Sequence, residues 1–450
     1  MAALAATSAF AQSSVTMYGT LDVGVMTQNR GVNGDANTAS TFATLPTAQP
    51  AYLNNRVTGM ASSGLTPSKW GIKGVEDMGG GMKTSFVLES ALNVNTGTNP
   101  NGRLNDSLAG TKTTFNNGEG SIQGQMFDRE ASLGISGDFG ELKAGRMTTT
   151  MADTIGAYDP LRVAYASSPL GFNGGYGASG FTGEGRWDNS FKYTKSFGAT
   201  TASLNYKTAG TTNGIKQGQA MGAALEYAQG NFGVKGSWAA NRDAMLVGNG
   251  SSACTADAAL AKTCSAPQTV GAPGLAVTFA DTNAFALVGK LTQDKLTWKG
   301  GVEVITTKNP QNANYDTAAN FPQVNGLPVT AVVAGGYNTP LTQKMYWFGA
   351  NYEMTSQWEL SAAVYRRNDS VSGSVSVSGV TPIALQDTSS ATYYGLQSQY
   401  KLSPRTKWYA SYMQSHTTGP QWQNASANGG TALLTVPNIV TITTGIVHSF

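Results

Sequence analysis

Histidine and cysteine are almost missing from this chain, with two of each in 450 residues. A structural zinc site needs about four such ligands and a catalytic one three, so no metal centre and no histidine-based catalytic machinery is expected. Charged residues are scarce too, at 12%, about half the usual share. The net charge of +3 is too small to hold nucleic acid by neutralising phosphates. Glu, Lys, Arg and Leu are too few for a coiled coil or helical repeat. No uninterrupted apolar run approaches the roughly 18 to 20 residues of a membrane-spanning helix. The Gly-rich run Gly171-Phe-Asn-Gly-Gly175 lacks the lysine and following helix of a phosphate loop, and no cofactor is expected. With 9% aromatic residues and little net charge, the chain is not disordered.

What is present starts with an Ala-rich stretch, Met1 to Gln12. It reads as the tail of an export leader, residues 1–11, with Ala9-Phe10-Ala11 as an A-x-A cleavage site and the mature chain from residue 12. From Val15 onward the dominant signal has period two. Val15, Met17, Leu21, Val23 and Val25 share one face; Thr16, Tyr18, Thr20 and Asp22 share the other. Tyr346, Phe348, Ala350 and Tyr352 share a face, and Trp358, Leu360, Ala362 and Val364 oppose Glu359, Ser361 and Tyr365. Such segments are strands with one apolar and one polar face.

Their connections alternate between short turns, such as Asp77 to Gly81, and long Gly/Ser/Thr/Asn-rich segments at 28–67, 97–123, 149–185, 210–217, 243–281, 307–342, 370–390 and 417–436. Long structureless loops argue against strands in a compact soluble domain, but they belong in an outer-membrane barrel. The strands are read at 15–27, 68–77, 82–96, 124–137, 141–148, 186–197, 199–209, 218–229, 231–242, 282–292, 295–306, 343–354, 357–369, 391–402, 405–416 and 438–450. That makes an all-β, 16-stranded antiparallel transmembrane β-barrel as one domain, 12–450. Closure removes the sheet edges, as lipid requires, and this strand number leaves an aqueous channel. The apolar face then meets lipid. Tyr18, Trp70, Trp187, Trp238, Trp298, Trp347, Trp358 and Trp408, near strand ends, suit interfacial girdles.

Four segments carry a family likeness: Ser13-Ser-Val-Thr-Met-Tyr-Gly-Thr-Leu-Asp-Val-Gly24; Ser68-Lys-Trp-Gly-Ile-Lys-Gly-Val-Glu-Asp77; Phe127-Asp-Arg-Glu-Ala-Ser-Leu-Gly-Ile-Ser-Gly137 with Leu142-Lys-Ala-Gly-Arg146; and Gly445-Ile-Val-His-Ser-Phe450. Together they resemble the general diffusion porins of Gram-negative outer membranes, in particular the trimeric porins of β-proteobacteria. The resemblance implies a homotrimer in the outer-membrane lipid and export through the periplasm. It implies passage of small hydrophilic solutes and ions without enzymatic activity. It also makes Phe450 part of the signal read by the barrel-assembly machinery.

The resemblance further implies that the third loop, about 149–185, folds inward as a constriction. There Lys69, Arg129 and Arg186 match basic wall residues, and Asp159 matches the loop acid that faces them. Alternation puts Lys69 and Arg186 inside; for Arg129 it points outward and only the likeness places it in the lumen. The next charged residue after Asp159 is Arg162, so cations outnumber acids and a weak anion preference is expected. Cys254 and Cys264, with nine residues between them, would form a local disulfide in an oxidising compartment. Two other readings stay open. One is a substrate-specific porin with Tyr158, Tyr165, Phe172 and Tyr176 as an aromatic slide; the other is a barrel acting mainly as a surface adhesin or receptor.

Overall fold

The computed structural model describes residues 14–30, 55–97, 126–171, 185–208, 219–248, 275–308, 340–375, 383–418 and 440–450, with short pieces at 115–116, 323–324, 327–333, 421–422 and 433–434. The wall strands in chain order are β1 (Ser14–Arg30), β2 (Asn55–Ser62), β3 (Lys69–Gly79), β4 (Met82–Ala91), β5 (Glu130–Gly137) and β6 (Gly140–Thr148). Helix α1 (Thr150–Tyr158) follows. Then come β7 (Arg186–Phe197), β8 (Thr200–Lys207), β9 (Ala220–Gln229), β10 (Phe232–Gly248), β11 (Leu275–Gln293) and β12 (Leu296–Lys308). The last are β13 (Leu341–Glu353), β14 (Trp358–Val375), β15 (Ile383–Lys401), β16 (Thr406–Thr418) and β17 (Val440–Ser449).

Each wall strand pairs antiparallel with its neighbours, and β1 closes the ring on β17 from Thr20↔Ser449 to Gln28↔Thr441. β2 and β3 are two parts of one wall position, because β1 pairs with β3 through Ser14–Thr20 and with β2 through Val23–Arg30. Counted so, the barrel has sixteen strands. The first long segment is thus partly wall, since β2 occupies 55–62. Two expected strands are shorter than their patterns: 82–96 ends at Ala91 and 124–137 begins at Glu130. The turn after β3 needs left-handed backbone, and Gly79, Gly80 and Gly81 supply it with φ of 81°, 63° and 80°.

Met17, Phe348 and Leu396 are exposed on the outer surface, as the alternation requires in a barrel facing lipid. Trp238, Trp358 and Trp408 are also exposed there, and Trp298 stacks on Phe348 at 5.5 Å between ring centroids. Three expected girdle residues lie inside instead. Tyr18 sits at an inward register position, opposite Gly71. Trp347 falls between outward Tyr346 and Phe348, so strict alternation sends it inward. Trp187 turns in because the β6–β7 register shifts between Gly145 and Met147. Asn189 there has φ 50°, and a bulge of this kind reverses the alternation beyond it.

The C-terminal residue is fastened at the seam. Phe450 and Gly19 exchange both backbone bonds at 3.1 Å. The Phe450 ring lies where a Cβ on Gly19 would be, 2.4 Å away, so only glycine leaves room for it. Residues 1–11, Cys254 and Cys264 lie outside the described residues.

Candidate functional site

The third loop does fold inward. Thr149 caps α1, its hydroxyl accepting from the Ala152 N–H at 3.1 Å. One side of α1 and the turns after it is apolar: Met151, Ile155, Tyr158, Leu161 and Leu170 are all buried. They pack on an inner wall that is itself apolar there. Ala220, Ala239, Ala284 and Ala286 keep the strands flat enough for close approach, and Val288, Ile305, Met345 and Trp347 fill the remainder. A soluble-style core therefore exists inside the barrel, between loop and wall, and burial of this kind stabilises by about 25 cal/mol per Å² of apolar surface.

Directional bonds fix the loop on that surface. The Trp347 indole donates to the Tyr158 carbonyl at 3.2 Å. The Asn351 side-chain amide donates to the Pro160 carbonyl at 2.7 Å. Lys299 Nζ donates to the Ala157 carbonyl at 3.0 Å. On the far side the Ala166 N–H donates to the Gly64 carbonyl at 2.9 Å. Gly64 belongs to residues 63–68, the break between β2 and β3. That break is held by Asp22, whose Oδ2 accepts from the N–H groups of Leu65 (2.7 Å) and Thr66 (2.8 Å). Its Oδ1 accepts from the Tyr409 hydroxyl at 2.8 Å.

Asp159 does not face the basic wall residues. It is fully buried (0% exposed). Its Oδ1 accepts from the Tyr365 hydroxyl at 2.5 Å and its Oδ2 from the Val163 N–H at 2.6 Å. Burial pushes its carboxyl above the usual carboxylate range, and these hydrogen bonds pull it back. It shapes and anchors the loop. Tyr158 and Tyr165 are buried as well, so neither lines an aromatic slide; Phe172 and Tyr176 lie outside the described residues.

Lys69 and Arg129 meet on one acid that the sequence reading overlooked. Glu89 lies 3.0 Å from Lys69 Nζ through Oε2 and 2.7 Å from Arg129 Nε through Oε1. It also accepts from the Tyr18 hydroxyl at 2.9 Å. Arg129 precedes β5 in a turn, so strand alternation does not govern it. Glu89 was hidden because Met82–Ala91 alternates poorly, with Glu89, Ser90 and Ala91 all buried. The bulge pairs Trp187 with Met147 on the buried inner side and leaves Arg186 opposite Thr148. Its charge, with that of Arg129, acts on Asp128. The Asp128 carboxyl is pushed up by burial, against the Ala91 N–H it accepts at 2.8 Å.

Arg162 stands at the rim of the loop with 46% of its side chain exposed, 2.6 Å from Glu359. Lysines cluster around it. Lys290 is directly opposite Lys299, and Lys401 directly opposite Lys407. The registers turn all four toward the lumen. A third pair, Lys143 and Lys192, is opposed across β6 and β7, but these have acids: Lys143 faces Glu130 at 3.6 Å, and Lys192 pairs with Asp153. Opposed side chains sit roughly 5 Å apart at Cβ, where like charges destabilise a sheet. Among the described residues, the acids around Arg162 and these four lysines are Glu359, its opposite neighbour Glu353, and the buried Asp159 and Asp22, which act on Lys299 and Lys407. Only the register shows these lysines paired.

The chain is similar to known proteins in sequence and fold. The family model for Gram-negative porins matches residues 1–420. Outer membrane porin protein 32 of Delftia acidovorans is 27% identical over 243 residues, 51% of this chain and 55% of that one. The major outer membrane protein P.IB of Neisseria meningitidis serogroup B is 29% identical over 151 residues, 34% of this chain and 33% of that one. The alignments thus span about half or less of these relatives. Among solved structures, an anion-selective porin from Comamonas acidovorans superposes with TM-score 0.62 at 17% identity, covering 98% of this chain and all of that one. In-vitro-folded OmpT, an outer membrane protein of Vibrio cholerae, gives 0.57 at 14% identity, covering 97% of this chain and 98% of the other. A closed sixteen-strand barrel with an inward third loop, and a family match over nearly its whole length, make this chain a member of the Gram-negative porin family and a protein of the outer membrane.

Proposed function

We propose that this protein is a water-filled diffusion channel for small hydrophilic solutes and ions, with a modest preference for anions, and that it works as a homotrimer. The observation that carries the reading is the opposed lysine pairs. Lys290 with Lys299 and Lys401 with Lys407 sit in the lumen beside Arg162. A sheet keeps like charges face to face at a cost in stability, and mobile counter-anions offset that cost. A field of one sign at the narrowest part of a pore selects ions by charge. Burial of Asp159 removes the acid that would have opposed it. The relative from Comamonas acidovorans is described as anion-selective, and one OmpT structure is a trimer form; both accord with the reading. No bond chemistry is required of the lumen, and the protein acts as a channel rather than an enzyme. On the same reading residues 1–11 are an export leader, Phe450 serves the assembly machinery, and Cys254 and Cys264 form a disulfide.

The test is recording in planar bilayers. Ohmic conductance in groups of three steps, unsaturated by added solutes, is expected. A folded barrel that conducts nothing would refute the channel and favour a surface adhesin or receptor. Conductance blocked at low concentrations of one solute would favour a substrate-specific porin.

A further inference from the structure

Asp22 lies where the wall changes partner. β1 pairs with β3 up to Thr20 and with β2 from Val23, and between these two strands residues 63–68 turn toward the third loop. Ser63 makes the turn with left-handed backbone, φ 64°. Strand pairing is interrupted here, so the polar groups of Asp22 need other partners. Its N–H donates to Ser68 Oγ at 2.9 Å. Its carbonyl accepts from the Ser63 N–H at 3.0 Å and from the Ser68 hydroxyl at 3.1 Å. The Ser68 N–H donates back to Ser63 Oγ at 2.8 Å and closes the turn. With the carboxyl bonds to Leu65, Thr66 and Tyr409, one residue holds 63–68 in a single shape.

The far end of the third loop rests on that shape. The Ala166 N–H meets the Gly64 carbonyl. Leu65 is buried with Ala164, Tyr409 and Val447, and Ala166 is buried with Met26 and Ala61. The two ends of the loop are held differently. α1 is seated by Met151, Ile155 and Tyr158, large side chains whose burial stabilises without needing direction. At 164–168, Tyr165 aside, the side chains are Ala164, Ala166, Ser167 and Ser168, which bring little apolar area. Gln397 on β15 reaches Ser167 Oγ only at 3.3 Å. The position of this end therefore depends on its directional contact with 63–68.

We propose that Asp22 is a positioning residue of the pore: through residues 63–68 it fixes where the far end of the third loop stands, and so the size of solute that passes. Asp22 is itself fully buried and acts through the chain it holds. The inference rests on the diffusion-channel reading.

The full-length protein would be reconstituted into liposomes, and swelling followed in uncharged sugars of increasing size, alongside amide exchange. In Asp22→Ala the exclusion limit should move to larger sugars. Exchange over 161–168 should accelerate by at least about tenfold, the effect of losing one hydrogen bond to a charged group, while exchange over 150–158 stays as in wild type. Asp22→Asn should recover most of the wild-type limit, because its amide oxygen still accepts from Leu65 and Thr66. Tyr409→Phe keeps the carboxyl and loses one hydroxyl, so it should move both readouts the same way by less; it carries the test if Asp22→Ala does not fold. An unchanged limit with faster exchange confined to 63–68 would overturn the proposal and leave the channel reading intact. So would exchange that accelerates equally in β1, β3 and β17, the mark of a residue that only stabilises the wall. Wild-type liposomes that swell in no sugar would overturn the channel reading and the proposal with it.

Discussion

The two sides of the lumen wall are built on different principles. Under the third loop, the inner face of β9–β16 is dry: alanines, Val288, Ile305, Trp347 and Tyr365 make a core with α1. Across the lumen, the inner face of β3–β6 is wet and carries Lys69, Lys73, Lys143, Glu89 and Glu130. Both faces come from period-two strands. The difference is what covers them. An inward apolar residue is stable only where the loop shields it from water, and an inward charge only where water or a counter-charge reaches it. The cation cluster around Arg162 lies where the dry surface ends, at the rim of the loop. The pore is the space that the loop leaves free.

The dry side depends most heavily on Trp347. Trp347→Ala removes a buried indole and its bond to the Tyr158 carbonyl, a loss of about 3 to 5 kcal/mol. Amide exchange across 150–171 should accelerate by several orders of magnitude while the barrel strands stay protected. Equal acceleration in β13 would mean that loop and wall are one cooperative unit. Next in size is Glu89→Gln, which strips the shared partner from Lys69 and Arg129. We expect a loss of roughly 1 to 3 kcal/mol and a shift of the reversal potential further toward chloride; a shift the other way would show that these cations are not in the ion path.

Gly395→Val sharpens the picture with a smaller expected effect. A Cβ there meets the Leu161 side chain at 2.3 Å and the Ser167 carbonyl at 2.6 Å, both on the loop. Overpacking of this kind costs about 1 to 3 kcal/mol, and the variant should widen the channel and raise its conductance without loss of the fold. Smallest is the effect of pH through Asp159. Its folded-state carboxyl is shifted upward by burial, so the folded loop holds the proton more tightly than an unfolded one. Its contribution to docking is then fully present at acid pH and declines as pH rises above the usual carboxylate range. Amide protection over 159–168 should fall on going from pH 4 to 7, and Asp159→Asn should flatten that dependence.

Much of this was legible in the residues. The strand count, the outward set Trp358-Leu360-Val364 and the inward Lys69 follow from alternation alone, because lipid and water enforce it strictly on exposed faces. What failed did so where a third partner intervenes. Trp187 changed sides at a bulge, which no local pattern around Asn189 announces. Trp347 and Tyr18 resembled girdle aromatics but serve the loop and Glu89. Asp159 matched a pore-facing acid, yet Tyr365, distant in sequence, turns it into an anchor. The lysine pairs needed register, and register is set by loops whose lengths vary freely.

The sign of the field in the pore decides whether the opposed lysines govern ion passage. The direct measurement is the reversal potential of the wild-type protein across a tenfold KCl gradient in a planar bilayer. The account predicts a reversal on the chloride side that weakens as total salt rises, because screening reaches about 8 Å at physiological ionic strength and about 3 Å at 1 M. A reversal on the potassium side would contradict it, and would mean that Glu89, Glu353 and Glu359, not the opposed lysines, govern the ion path.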